Sequence, residues 1–246
     1  MKTEKKIYFI SDVHLGVDSE KTSLMRENML IKWLDEIKND AFEINFLGDI
    51  FDFWFEYKYL VPRNFVRFLT KIRELSDSGI IINFFTGNHD MWIFDYLPEI
   101  CQLNLFRKPV TREIFGKVFF IGHGDGLGNY DKKYNLLKVF FASKICQFLF
   151  KTIHPSISFR IANTWSRNSR KKHKISKNFD IEKENLVKFA REELKKQHID
   201  FFVFGHSHRP LQIKLEKDCV FTNTGDWLEN FTYSVFDGEC LVLKKF

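Results

Sequence analysis

The sequence predicts a mixed α/β fold, in which two sheets form a β-sandwich flanked by helices and carry a helical insert. Strand-length apolar runs alternate with helical stripes in the first half of the chain, in the order βαβαβ. That order implies parallel strands with right-handed crossovers. Shorter runs separated by turn residues follow in the second half, as is typical of hairpins. A basic, helical stretch between the two, residues 127–178, is the predicted insert.

The first half contains three predicted strands, KIYFISD, FEINFLGD and IIINFFTGNHD. The segment PRNFVRFLTKIRELSDSG predicts the second helix, because Pro62 suits a helix start and Gly79 suits a helix end. The first helix, in KTSLMRENMLIKWLDEIKN, has one apolar stripe along its length. This stripe consists of Leu24, Met29, Leu30, Trp33, Leu34 and Ile37.

Hairpins are predicted in VTREIFGKVFFIGHGD and from Pro210 to the end of the chain. The run IDFFVF, Ile199–Phe204, predicts a buried strand that ends at Gly205, where the backbone passes close to a bulky group. The expected turns are Phe115–Gly116, Glu216–Asp218 and Asp237–Gly238.

Length and composition favour one globular domain over residues 1–246. The chain is 44% hydrophobic and contains 29 Phe, enough to fill a large core. Its four cysteines lie far apart without a C-x-x-C pair, which argues against disulfides and zinc-thiolate sites and favours a reducing cytoplasm. We expect neither a signal peptide nor a spanning helix, because no apolar run approaches the roughly 20 residues that a membrane helix needs.

The positive charge of the chain is concentrated in the predicted insert. The whole chain carries a formal charge of +6, whereas residues 127–177 contain 12 Lys or Arg and one acid, a net charge of +11. A run of like charges is often only a solvated helix face. So lopsided a segment is better explained by an anionic partner such as phosphate, nucleic acid or lipid headgroups.

Polar residues that can bind metal follow five predicted strands. Each motif taken alone also fits a turn or a helix start. Their joint occurrence favours a metal site, because the carboxyl ends of parallel strands meet at one edge of a sheet. The five segments are SDVHLG with Asp12 and His14, LGDIFDFW with Asp49 and Asp52, TGNHD with Asn88, His89 and Asp90, GHGD with His123 and Asp125, and GHSH with His206 and His208.

The types of side chain indicate the metals. Carboxylate, imidazole and amide groups without thiolates suit Mn, Fe or Zn better than Mg or Ca, and we expect Mn. Seven ligands are too many for one such ion and fit two divalent ions that share Asp49. His206 and His208 stand at i and i+2, so that both can point to one place beyond the strand end.

The blocks D-x-H, G-D, G-N-H-D, G-H and G-H-x-H occur in this order from Asp12 to His208, and the chain resembles the calcineurin-like metallophosphoesterases. The resemblance implies a dinuclear hydrolase in which water attacks phosphorus. It also implies a ligand set for each ion. One ion would be held by Asp12, His14, Asp49 and His208, and the other by Asp49, Asn88, His123 and His206. His89 is then the candidate acid or transition-state stabiliser, with Asp90 orienting it.

Within that superfamily, SDVHLG, GDIFDFWFEY and GHSHRP most resemble the UDP-2,3-diacylglucosamine pyrophosphatases of lipid A synthesis. These enzymes release UMP and 2,3-diacylglucosamine 1-phosphate and carry a helical insert after the G-H-G-D block. The third block differs, because the best-known members have G-N-R-D where this chain has His89.

The insert interleaves aromatic and basic residues, as a diacylated anionic substrate requires. The alternative is that these aromatic residues, Phe140, Phe141, Phe148, Phe150 and Trp165, are only the core of the insert itself. The resemblance implies a cap that binds the lipid nucleotide and peripheral association with the cytoplasmic face of the inner membrane. The implied substrate-binding residues are Asn88, His89, Asn163, Arg167, Ser169, Arg170 and Lys172.

A second interpretation keeps the metals and changes the substrate to nucleotides or nucleic acid. A nuclease would use a basic flank, but such nucleases usually contain further domains for which 246 residues leave no room. A general phosphatase would not need an amphipathic insert. A non-catalytic scaffold would have lost ligands, and every expected ligand is present.

Overall fold

The computed structural model of the chain describes residues 5–17, 19–128, 132–172 and 180–246. Within these ranges, the side chains at positions 20, 132–133, 163, 165 and 167–172 lie outside the description. Four layers are present, in the order helices, sheet, sheet, helices. The predicted two-sheet α/β sandwich is therefore confirmed.

The first sheet has the strand order β11-β10-β1-β2-β3-β4. Its four strands from the first half of the chain are parallel, as the βαβαβ pattern predicts. At the other edge, β10 pairs antiparallel with β1, and β11 pairs antiparallel with β10. The strands are β1 Lys6–Ile10, β2 Ala41–Phe46, β3 Ile81–Phe85, β4 Asn104–Phe106, β10 Thr232–Phe236 and β11 Leu241–Lys245.

The second sheet has the order β5-β6-β7-β9-β8, with parallel strands at its centre and antiparallel strands at both edges. A turn at Phe115 and Gly116, both at positive φ, joins the β5–β6 hairpin at its predicted position. The strands are β5 Val110–Ile114, β6 Lys117–Ile121, β7 Phe201–Phe204, β8 Leu211–Lys214 and β9 Val220–Asn223.

Phenylalanine fills the space between the sheets. Phe119 of β6 stacks on Phe9 of β1 at 6.0 Å and on Phe201 of β7 at 4.7 Å, measured between ring centroids. Phe236 of β10 meets Phe119 edge-on at 5.0 Å. Alternate residues of the same strands face outward, because side chains along a strand point to opposite faces. Buried aromatic residues therefore cover both faces of each sheet.

Helices cover the outer faces. On the first sheet, α1 buries the predicted stripe from Leu30 to Ile37, but Leu24 is 48% exposed. The stripe prediction was wrong at Leu24, which is not part of the buried cluster that Leu30, Trp33, Leu34 and Ile37 join. After Pro62, a short 3₁₀ turn precedes α2, so the second helix begins later than predicted. The helices are α1 Glu20–Ile37, α2 Val66–Asp77 and α3 Tyr96–Cys101, with α7 Asn185–Leu194 on the second sheet.

The predicted insert forms three further helices, α4 Lys132–Ala142, α5 Lys144–Thr152 and α6 Pro155–Lys172. Its aromatic residues divide into two groups. Phe150 packs on Trp92 at 4.6 Å and on Phe55 at 4.8 Å, and the carbonyl of Phe141 accepts a 2.9 Å hydrogen bond from Trp92 Nε1. Phe140 and Phe148 are exposed. Neither interpretation of the insert therefore accounts for all four of these phenylalanines, and the Trp165 side chain lies outside the described residues.

In the described part of the chain, no helix combines the length and the apolar character that crossing a membrane requires.

Candidate metal centre

The parallel strands of both sheets end at one edge of the sandwich, and the loops that follow them bring the predicted ligands together. Loops after β1, β2 and β3 supply these groups from the first sheet, and loops after β6 and β7 supply them from the second. Donor atoms of neighbouring residues lie within 4.8 Å of one another in three overlapping groups. These groups are Asp12–His14–His208, Asp12–Asp49–His123 and His14–Asp49–His89.

The backbone at the site is in a conformation that side chains usually avoid. Five candidate ligands have φ between 49° and 68°, in the left-handed region. Non-glycine residues are rare there, and such strain persists only where the surroundings impose it. The sharp turn directs each side chain back toward the strand ends. The five are Asp12, His14, Asp49, His206 and His208.

Two glycines allow the loops to approach each other closely. A Cβ atom at Gly205 would collide with Ser11 and with the Asp12 carboxylate, and a Cβ atom at Gly87 would collide with the Asp49 carboxylate. The prediction that backbone passes close to a bulky group at Gly205 is confirmed, and the bulky group is a candidate ligand.

The first donor group lies around Asp12 Oδ1. His208 Nε2 is 3.3 Å from this oxygen and His14 Nε2 is 3.8 Å from it, while the two imidazole nitrogens are 3.4 Å apart. The other ring nitrogen of His208 faces Asp226 Oδ2 at 4.0 Å. Sequence reasoning missed Asp226, although it follows β9 in the segment TGDW and the strand-end signal could have found it.

The second donor group lies around Asp49. Its Oδ2 is 3.4 Å from His123 Nε2 and 4.0 Å from His14 Nε2, so Asp49 stands between the two groups. His123 Nδ1 donates to the carbonyl of Leu47 at 2.7 Å, which leaves the lone pair of Nε2 available for a metal. The ring of His206 is 5.1 Å from that of His123.

Four buried polar atoms of candidate ligands have no hydrogen-bond partner among the described residues: Asp12 Oδ1, His14 Nδ1, Asn88 Oδ1 and His123 Nε2. Buried polar atoms are nearly always bonded, so each of these needs an explanation. They belong to a carboxylate, an amide and two imidazoles, a mixture that suits Mn, Fe or Zn. The residues present therefore fit a divalent metal centre.

Burial and charge determine the proton affinities in the site. Burial raises the pKa of Asp12 to about 6, and burial together with the Asp49 carboxylate raises the pKa of Asp90 to about 7. Burial opposes a charged His123, but the nearby Asp49 raises the pKa of His123 to about 10. Burial and the neighbouring His123 lower the pKa of His206 to about 4. These buried carboxylates repel one another, and divalent cations relieve such repulsion.

His89 is oriented by Asp52 and by Asp49. Its Nδ1 donates to the carbonyl of Asp52 at 2.9 Å, and its backbone NH donates to Asp49 Oδ1 at 2.8 Å. Burial opposes a charge on this ring, but Asp49 and Asp52 raise the pKa of His89 above its ordinary value. The Asp52 carboxylate is 3.6 Å from His89 Nδ1 and 3.4 Å from His14 Nδ1.

Asp90 has a different environment from the one predicted. Its carboxylate accepts hydrogen bonds from the backbone of Gly87 at 2.7 Å and of Ile50 at 2.9 Å. It thus joins the loops that carry Asn88 and Asp49. Backbone amides engage both oxygens of Asp90, whereas the Asp52 carboxylate lies beside the His89 ring. The role of Asp90 in orienting His89 stays a prediction.

Side chains of the described part of the insert bond to Asp125 and to Asp52 at the site. Tyr134 Oη donates to Asp125 Oδ2 at 3.0 Å, and Lys138 Nζ lies 2.6 Å from the same oxygen. Ser166 Oγ of α6 donates to Asp52 Oδ1 at 2.7 Å. Sequence reasoning missed Ser166, because no strand precedes it and a serine in a helix carries no signal of its own.

The remaining predicted substrate-binding residues belong to α6. Their backbone forms part of that helix, but their side chains lie outside the described residues. These residues are Asn163, Arg167, Ser169, Arg170 and Lys172.

Comparison with known proteins gives consistent results. The family model for calcineurin-like phosphoesterases matches residues 5–210. A UDP-2,3-diacylglucosamine hydrolase of Porphyromonas gingivalis is 38% identical over 97% of this chain and 97% of its own. One from Vibrio atlanticus is 27% identical over 97% of this chain and 96% of its own. Among solved structures, a novel archaeal phosphodiesterase is similar over 97% of this chain and 99% of its own, with 16% identity and a TM-score of 0.48.

Proposed function

The chain belongs to the calcineurin-like phosphoesterase family, a family of metal-dependent hydrolases, and on this basis we propose that it hydrolyses UDP-2,3-diacylglucosamine. The products would be UMP and 2,3-diacylglucosamine 1-phosphate, as in lipid A synthesis. The observation that carries the proposal is the 38% identity to a relative of that activity over 97% of both chains.

The donor atoms around Asp12 and Asp49 support two divalent ions, of which manganese is our expectation. Asp12, His14, Asp49 and His208 would hold one ion, and Asp49, Asn88, His123 and His206 the other. When bound, such a pair supplies Lewis acidity for the phosphoryl oxygens and lowers the pKa of water. Asp49 would bind both ions, because its Oδ2 faces His123 and His14 at 3.4 and 4.0 Å.

Water would attack the phosphorus that bears the uridine, forming one P–O bond and breaking the bridging P–O bond of the diphosphate. His89 would act on the departing or non-bridging oxygen. Its Nδ1 proton is held by the Asp52 carbonyl, so Nε2 is the nitrogen left for the substrate. A proton or hydrogen bond from Nε2 would stabilise the charge that develops on that oxygen. Asn88, adjacent in the loop, would contact the same phosphoryl group.

The insert, residues 127–178, would act as a cap within the single domain. Its net charge suits a diphosphate, and its exposed apolar side chains suit acyl chains. Ile145 is 74% exposed and Phe148 is 67% exposed, whereas Phe150 is taken up by packing on Trp92. The polar contacts to substrate would come from α6, through Asn163, Arg167, Ser169, Arg170 and Lys172.

The same exposed helices would bring the enzyme to the cytoplasmic face of the inner membrane, where a diacylated substrate resides. Leu136, Val139 and Phe140 on α4 are exposed, and α5 adds Ile145 and Phe148. Lysines on both helices would lie near the anionic headgroups. Attachment would be peripheral and reversible.

The test is turnover of UDP-2,3-diacylglucosamine in parallel with bis-p-nitrophenyl phosphate and single-stranded DNA, with the protein loaded with Mn²⁺. We expect UMP release from the lipid nucleotide at a kcat/KM at least about 100-fold above that for the aryl ester, because the cap contributes binding energy only to the lipid. Preferential hydrolysis of DNA would assign the same metals to a nucleic-acid phosphodiesterase. Equal rates on all three substrates would indicate a general phosphoesterase.

A further inference from the structure

A second apolar surface lies beside the site and outside the insert. It consists of the loop 57–61, the start of α2 and the first turns of α1. Tyr59 is 82% exposed, Val66 is 64% exposed and Met25 is 57% exposed, and the neighbouring Leu60 and Leu24 are also exposed. We name these five residues the loop patch. Soluble surfaces rarely gather so many large apolar side chains without a partner.

The loop patch is held rigidly by buried contacts beneath it. Glu27 of α1 is buried and accepts a 3.2 Å hydrogen bond from the backbone of Phe68 on α2. Arg67 donates to Asn28 Oδ1, which ties the exposed faces of the two helices together. Gly16 has a φ of 96°, and a Cβ there would lie 3.2 Å from the buried Phe65 ring, so the loop before α1 packs closely on the start of α2. The segments that carry the patch are therefore packed against each other.

Cations lie in the segment that carries Tyr59, Leu60 and Val66 of the loop patch. Residues 57–67 contain Lys58, Arg63 and Arg67, all exposed, and no acidic residue. Lys58 Nζ lies 4.9 Å from the centre of the Tyr59 ring. An exposed aromatic side chain flanked by Lys and Arg favours binding at the boundary between the lipid headgroups and the acyl chains.

Aromatic rings beneath the surface connect the loop segment of the patch to the insert. Phe150 of α5 contacts Phe55 at 4.8 Å, Phe55 contacts Tyr57 at 4.7 Å, and the Tyr57 amide donates to the carbonyl of Leu60 at 2.9 Å. Both α1 and α2 begin after the carboxyl ends of β1 and β2, which is the edge that carries the donor groups. The patch and the insert thus flank the same site.

We propose that the loop patch is a second membrane-docking surface, which binds the anionic face of a lipid bilayer together with the insert. The mouth of the site would then face the bilayer between two points of attachment, so that a lipid substrate enters without crossing water. This inference rests on the proposed function, because a lipid substrate is the reason for docking, but vesicle binding tests it without any nucleotide.

The experiment measures co-sedimentation of the full-length, Mn²⁺-loaded protein with vesicles of phosphatidylglycerol and phosphatidylcholine in equal parts. We expect Tyr59→Ser with Leu60→Ser to weaken binding about tenfold through lost apolar burial. Lys58→Ser with Arg63→Ser should weaken it about as much and reduce its salt dependence. Val242→Ser on β11 is the matched control, an exposed apolar residue outside the patch, and should bind as wild type.

Wild-type binding by the Tyr59 and Leu60 variant would overturn the proposal, provided that both proteins unfold at the same temperature. If the wild type bound vesicles of pure phosphatidylcholine as well as the mixed vesicles, the surface that it recognises would not be anionic. The variant Phe148→Ser on α5 measures the contribution of the insert to vesicle binding separately from that of the loop patch. Failure to hydrolyse the lipid nucleotide would contradict the proposed function, but vesicle binding through the loop patch would remain. The two failures are therefore distinguishable.

Discussion

Ser166 on α6 of the insert donates a 2.7 Å hydrogen bond to Oδ1 of Asp52, in the loop after β2. The same carboxylate lies 3.4 Å from His14 and 3.6 Å from His89. The insert is therefore bonded directly to a group that orients a candidate ligand and the candidate acid. Placement of the insert and orientation of His14 and His89 therefore meet at Asp52.

Replacing Ser166 by Ala should lower kcat on the lipid nucleotide about tenfold, because a hydrogen bond to a charged group contributes roughly 1.5–3 kcal/mol. Metal content should stay at the wild-type value. Ser156→Ala, an exposed serine near the start of the same helix, is the control. Unchanged kcat in Ser166→Ala would show that the contact only anchors the helix.

Removal of Asp49 should abolish binding of both metals, because its carboxylate stands between the two donor groups. We expect elemental analysis to give two Mn²⁺ per wild-type chain and close to none for Asp49→Ala. His14→Ala should weaken one site more than the other, and Glu36→Ala, an exposed carboxylate of α1, should retain two. If the active wild-type enzyme had a metal content near zero, the proposal of two bound ions would be wrong.

Chelation should lower the thermal stability of the wild-type protein. Without cations, the buried Asp12, Asp49 and Asp90 carboxylates remain close together, and ligand binding stabilises a native state by mass action. Scanning calorimetry with EDTA and then with Mn²⁺ restored measures the shift in Tm. A Tm that does not respond to either reagent would contradict a metal site built on these residues.

His89→Asn should reduce the rate by about 10² to 10⁴-fold, the usual contribution of a general acid, with metal content unchanged. The loss should appear in kcat on both the lipid nucleotide and the aryl phosphodiester if His89 stabilises the phosphoryl group. A loss confined to the lipid nucleotide would instead assign His89 to its leaving group. Wild-type rates on both substrates would remove His89 from the mechanism.

Charge reversal of Arg167, Arg170 and Lys172 should raise the KM for the lipid nucleotide, because the insert would lose three cations that we expect to attract its diphosphate. Hydrolysis of bis-p-nitrophenyl phosphate should be largely spared. Charge reversal of Lys195, exposed after α7, is the control. Equal losses of activity on both substrates, or no loss on the lipid nucleotide, would indicate that the insert has only a structural role.

Much of this fold could be predicted from the sequence, because it is encoded by local patterns. The order of strands and helices follows from apolar periodicity, and the turn at Phe115 and Gly116 lies where the spacing indicates it. The convergence of Asp12, Asp49 and His123 also follows, since parallel strands carry their carboxyl ends to one edge. Each of these features can be predicted from short sequence patterns: the periodicity of a strand or helix, and the residues that directly follow a strand.

Tertiary structure alone decided which side chains touch across that edge. Asp52 and Asp90 both follow strands in similar motifs, yet Asp52 lies beside His89 and Asp90 bonds backbone amides. Similarly, Phe148 and Phe150 are two positions apart on α5, yet one is exposed and the other packs on Trp92. The reason is geometric: a side chain's partner depends on loop paths and helix rotation, which are set by packing of segments far apart in the chain. Local periodicity therefore specified the elements and the edge where the chemistry gathers, and long-range packing assigned each residue its contacts there.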